Sequence, residues 1–128
     1  MEPLVLVIDD DERMRELISD ILTAFNYRVI PAESSAEGLM SAFSQHPDVV
    51  LCDLVLPDAL GFETAKALSS NEATRDVPVI FITGYPYLRQ YSGMENCSIL
   101  VKPFSMNAVV AAVREAIAKR VAVAPAQP

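Results

Sequence analysis

The sequence predicts an α/β domain: a doubly wound, five-stranded parallel sheet in the order 2-1-3-4-5, with helices on both faces and a short or irregular fourth helix. Three observations carry this. Five short runs rich in β-branched residues recur along the 128 residues; segments with helical spacing alternate with them; and the runs are apolar throughout, as strands covered on both faces are. Right-handed crossovers make the sheet doubly wound, and the common five-strand order places strands one and three side by side where the winding reverses.

The runs are Leu4 to Ile8, Arg28 to Ala32, Asp48 to Cys52, Pro78 to Thr83 and Ser98 to Val101. After the first, Met14, Leu17, Ile18, Ile21, Leu22 and Phe25 keep the three-and-four spacing of one helix face, with Arg13, Glu16, Asp20 and Thr23 opposite. Ser34 or Ser35 suits the N-cap of a second helix with an apolar face of Ala36, Leu39, Met40 and Phe43, ending before His46-Pro47. A weaker helix spans Phe62 to about Asn71. Ser105 suits the cap of the last helix, whose stripe is Val109, Val113 and Ile117, with Lys119 and Arg120 toward its negative end.

One domain is expected over residues 1–120, with 121–128 ("VAVAPAQP" from Val121) as a tail or the start of a linker. The net charge of −7 argues against a nucleic-acid surface, which needs a basic face. No apolar run approaches bilayer length, and no charged-then-apolar leader precedes the first strand, so a cytoplasmic chain without membrane contact is expected. Cys52 and Cys97 have no metal-ligand neighbours at short spacing and read as free thiols.

The acids in "LVLVIDDDERMR" follow from this topology. Asp9 and Asp10 leave strand one and Asp53 leaves strand three, so three carboxylates meet where such a sheet offers a ligand site. Their repulsion calls for a counter-charge. A hard cation with oxygen ligands answers it, and Mg²⁺ suits one or two carboxylates with waters and phosphate oxygens. Thr83 and Lys102, at the ends of strands four and five, reach the same rim and supply a hydroxyl and an ammonium for an anion. Asp11 and Glu12 instead suit the first turn of a helix. Cys52 should face away from the site, because side chains alternate along a strand.

Together, "VIDDDERMR", "PDVVLCDLVLPDALGFE", "PVIFITGY" and "VKPF", in order and at fitting spacings, resemble the receiver domains of two-component response regulators, the CheY-like superfamily with a flavodoxin-like fold. The resemblance covers nearly the whole chain. It implies that Asp53 is the phosphoacceptor and that Asp10 ligates Mg²⁺ directly. Asp9 would act mainly through water, with the Val55 carbonyl as the remaining protein ligand. Thr83 and Lys102 would contact the phosphoryl group, and Lys102-Pro103 would be cis. A sensor histidine kinase or histidine phosphotransfer protein would donate the phosphoryl group, a downstream protein would read the switch, and a second copy of the chain is a further candidate partner. The domain would catalyse its own phosphorylation yet act as a signalling switch rather than an enzyme. Met1 just before strand one argues for a single-domain regulator or the N-terminal piece of a longer one.

Three departures stand out. Ile99 occupies the position, three before the lysine, where the family usually carries an aromatic ring. The stretch "GYPYLRQYSGMENC", Gly84 to Cys97, is short and poor in helix signal, and its Tyr85, Tyr87 and Tyr91 suit either a partner patch or a cover for the sheet edge. Val55 and Tyr85, at positions that influence water's access to the phosphoryl group, lack the polar ends that orient water, so slow self-hydrolysis is expected. Two other readings stay open: an interaction module independent of phosphorylation, and a phosphohydrolase with Asp58 as the nearby general acid.

Overall fold

The structure, a computed structural model, describes residues 2–84 and 96–123. β1 (Leu4–Ile8), β2 (Arg28–Ala32), β3 (Val49–Asp53), β4 (Val79–Thr83) and β5 (Cys97–Val101) form one all-parallel sheet ordered β2-β1-β3-β4-β5. Around it lie α1 (Glu12–Ala24), α2 (Ser35–Gln45), α3 (Gly61–Ser69) and α4 (Met106–Val123). The helix expected between strands four and five, with Tyr85, Tyr87 and Tyr91, lies outside the described residues. Among the described residues, no helix is long and apolar enough to cross a membrane.

Alternation along the strands builds two cores. Val5, Val7, Val49, Leu51, Ile80 and Ile82 face α1 and α4, meeting Ile18, Leu22, Val109 and Val113. Leu6, Ile8, Val50, Cys52 and Phe81 face α2 and α3, meeting Ala42, Ala65 and Leu68. Burial of these side chains contributes roughly 1.5–3 kcal/mol for each large one, so the sheet is a rigid platform.

Each helix starts where the chain supplies a cap. Asp11 is the N-cap of α1 and its carboxylate accepts the Arg13 N–H, one step ahead of the first-turn place expected for it. Ser34 caps α2 through the Glu37 N–H, and Ser105 Oγ accepts the Ala108 N–H ahead of α4. α3 has Leu60 at its N-cap, and Glu63 Oε1 accepts the Leu60 N–H at 2.8 Å.

Two expected faces are corrected. On α1, Ile18, Ile21 and Leu22 are buried, but Leu17 and Phe25 are exposed, because the helix needs only a narrow stripe against β1, β2 and α4. On α2 the buried face is Ser35, Gly38 and Ala42 with Leu39 partly covered, while Ala36, Met40 and Phe43 face out. The cause is close approach: a Cβ at Gly38 would overlap Cδ1 and Cγ1 of Ile8. Small residues, not bulky ones, mark the side that touches the sheet. β3 also begins one residue later than the apolar run and ends on Asp53.

Candidate functional site

The register of the sheet sets the acids side by side. Ile8 pairs with Cys52 across β1 and β3, so the next residues, Asp9 and Asp53, stand next to each other at the carboxyl ends of the two strands. One ligand oxygen from each of Asp9, Asp10 and Asp53 lies within 4.8 Å of the others. Thr83 ends β4, and its carbonyl accepts the Lys102 N–H at 2.7 Å. That bond ties the two outer members of the expected set to each other at the same rim. Thr83 is buried and Lys102 half-buried, and the Lys102-Pro103 peptide is cis.

Asp9 is the most constrained of the acids. It is fully buried, with Oδ1 accepting the Asp11 N–H at 2.9 Å, while buried Oδ2 has no hydrogen-bond partner among the described residues. A buried carboxylate oxygen left unmatched is costly, and a cation is one partner that removes the cost. Burial pushes the Asp9 carboxyl above its usual range, and the charges of Asp53 and Asp10 add to this against the Asp11 N–H and the Lys102 ammonium. Burial likewise raises Asp53, opposed first by the Lys102 ammonium and then by the Val55 N–H. The donor set is all oxygen and acidic, which fits a hard divalent ion and not a thiolate metal.

Local structure holds this cluster in place. The Arg15 guanidinium donates to the Asp9 carbonyl at 2.7 Å and faces Glu33 at 3.8 Å, a support that the apolar pattern of α1 gave no reason to look for. Gly61 lies against the end of β3: a Cβ there would stand 2.5 Å from the Asp53 carbonyl oxygen and 3.0 Å from Leu54 Cα. Only glycine fits without moving backbone. Val55 follows Asp53 by two, with its side chain exposed between buried Leu54 and Leu56.

Cys52 faces away from the acids into the α2 and α3 core, and burial pushes its thiol up. Cys97 is half-buried, and both cysteines are free thiols. Ile99 is half-buried against the same core. Asp58 is not placed to act as a general acid. Its two oxygens accept the Ser35 and Ala36 N–H groups at 2.9 and 3.0 Å, and those bonds hold its carboxyl below the usual range, led by Ala36. A group held ionised in this way has no proton to give.

Known proteins share both sequence and architecture with this chain. The profile of the response regulator receiver domain matches residues 5–114. The sequence is 35% identical to the polar-differentiation response regulator DivK of Brucella ovis over 85 residues, 66% of this chain and 69% of that one. It is 32% identical over 115 residues to the DNA-binding dual master transcriptional regulator RpaA of Synechocystis sp., covering 88% of this chain and 48% of that protein. The structure of the chemotaxis response regulator CheY4 of Vibrio cholerae matches with a TM-score of 0.82 at 26% identity, over 91% of this chain and 99% of that one. A response regulator receiver domain protein from Clostridium thermocellum gives 0.85, again at 26%, over 94% and 98%. With the acids, Thr83 and Lys102 gathered on one rim of this fold, the chain belongs to the response regulator receiver domain family of two-component systems.

Proposed function

We propose that this receiver accepts a phosphoryl group on Asp53 in a Mg²⁺-dependent reaction, from a phosphohistidine of a sensor histidine kinase or histidine phosphotransfer protein, and thereby switches a protein-binding surface. The observation that carries the reading is the meeting of Asp9, Asp10 and Asp53 within 4.8 Å, with Asp9 Oδ2 buried and unmatched. Asp9, Asp10, Asp53 and the Val55 carbonyl are the groups that would hold the ion. Bound there, Mg²⁺ supplies neutralising charge for the oxygens of a transferring phosphoryl group.

The chain's own residues do the rest. An Asp53 carboxylate oxygen attacks phosphorus in line, the P–N bond to the donor imidazole breaks, and its electron pair returns to the ring nitrogen, which takes a proton from water. The Lys102 ammonium pairs with the phosphoryl oxygens and the Thr83 hydroxyl donates to one of them. The added charge draws Thr83 inward and shifts an equilibrium between two surface arrangements. Val55 offers no polar end to orient an attacking water, which supports slow loss of the phosphoryl group; Val55→Asn with Tyr85→Glu should speed the decay.

A second reading, binding independent of phosphorylation, is favoured by one observation: Ile99, where receivers usually carry a ring, is aliphatic and packs on the core. One experiment addresses both. The chain is incubated with a small-molecule phosphodonor and Mg²⁺ and its intact mass is followed. One added phosphoryl group, absent from Asp53→Asn and lost with chelator, supports the first reading; an unmodified wild type overturns it and leaves the second.

A further inference from the structure

We infer that Asp58 is a positioning residue for the acidic cluster: its carboxylate ties the loop that carries Val55 to the first turn of α2, and so fixes the chain as it leaves Asp53. The inference rests on the Mg²⁺ reading above and extends it to a residue outside the ligand set. Asp58 Oδ1 and Oδ2 each take one backbone N–H, from Ser35 and Ala36, residues 23 and 22 positions earlier in the chain. α2 already has a cap of its own in Ser34. Asp58 therefore satisfies two further N–H groups at the positive end of the helix, where a carboxylate is favoured.

The anchor does not give way, because the first turn of α2 is itself fastened. Ser35 Oγ and Thr64 Oγ1 share a buried 2.6 Å hydrogen bond that joins α2 to α3. The loop transmits the restraint because it is closed on itself. Gly61 N–H donates to the Leu54 carbonyl at 2.7 Å, Leu56 N–H to the Ala59 carbonyl at 3.0 Å, and Val55 bridges Leu60. Leu54 and Leu56 are plugged into the core on either side of Val55. Two residues, Leu56 and Pro57, separate Asp58 from Val55, and with both ends of that span fixed the Val55 carbonyl has little freedom. Groups hydrogen-bonded directly to a metal ligand commonly contribute 10–100-fold to affinity, and Asp58, which acts through the loop, belongs at the low end of that range.

The test compares two substitutions that both remove a cap from α2 but differ in the tether. Mg²⁺ binding to the full chain is measured by calorimetry for wild type, Asp58→Ala, Asp58→Asn and Ser34→Ala, with amide exchange at Leu56 and Gly61. Asp58→Ala should weaken Mg²⁺ about tenfold and speed exchange at both amides. Asp58→Asn, which keeps one acceptor oxygen, should fall between it and wild type, and it carries the comparison if the alanine variant does not fold. Ser34→Ala should lower thermal stability while Mg²⁺ affinity stays within about twofold of wild type, since its loss leaves the tether intact. Equal weakening by Asp58→Ala and Ser34→Ala, or full affinity in both Asp58 variants, overturns the tether and leaves the metal reading standing. A wild-type chain that takes up no Mg²⁺ overturns both.

Discussion

β3 carries an aspartate at each end, and the two are treated in opposite ways. Asp48, just before the strand, has its charge answered: Oδ2 accepts the Leu4 N–H at 2.8 Å, and Arg120 lies 3.7 Å from Oδ1 and 3.3 Å from the carbonyl. Asp53, the last residue of the same strand, shares its end of the sheet with Asp9 and Asp10, and burial raises its carboxyl and that of Asp9 out of their usual range. One rim is finished by the protein alone. The other is left with a charge and an oxygen for something else to complete, and that imbalance, more than the number of acids, separates a binding site from a structural contact.

The contrast is broken most severely at Asp10. It is exposed, so Asp10→Ala should leave the melting temperature of the metal-free chain nearly unchanged. Mg²⁺ affinity, measured by calorimetry, should fall by more than about 100-fold, because groups merely supporting a metal ligand already contribute 10–100-fold.

Asp9→Asn should act in the unusual direction. The folded pKa of Asp9 is raised above its ordinary value of 3.8. A carboxyl so raised contributes its stability below the unfolded value and loses it as pH climbs through the folded one. An amide does not ionise, so in chelator the variant should match wild type near pH 3, by urea unfolding, and exceed it at pH 7 by about 1–2 kcal/mol.

At the other rim the signs revert. Asp48→Ala leaves the Leu4 N–H without its carboxylate and should cost about 1–2 kcal/mol in urea unfolding, with Mg²⁺ affinity unchanged. Arg120→Ala removes one member of a pair in which both side chains are partly exposed. Its cost should be near 0.5 kcal/mol and shrink in high salt. If Asp48→Ala weakened Mg²⁺ as much as Asp10→Ala, the two rims would not be independent.

Much of this was legible in the sequence, and the exceptions share a cause. The strands and the stripe of α1 are visible because bulk goes to the core at a fixed period, as with Ile18, Ile21 and Leu22. The three acids were legible because topology alone brings the ends of β1 and β3 together. The buried face of α2 is not legible because it meets the sheet through small residues, Gly38 against Ile8 and buried Ala42, where the absence of a side chain is the signal and looks like a polar face. Arg15 and Asp58 were missed as supports because their partners are backbone groups, which have no letter in a sequence. For Asp58 those partners also lie more than twenty residues away.

Cys52 gives β3 a reporter. Its thiol sits one residue from Asp53, sealed in the core with its ionisation pushed up, whereas Cys97 is half-buried and pushed up to about 11. Thiolate is the species that alkylates, so with excess reagent at neutral pH the second thiol should label at its own modest rate. The first should wait for the sheet to come apart. The interval between one adduct and two then becomes a clock for the opening of β3, and the same mass spectrum that counts phosphoryl groups can read how firmly the strand beneath them is held.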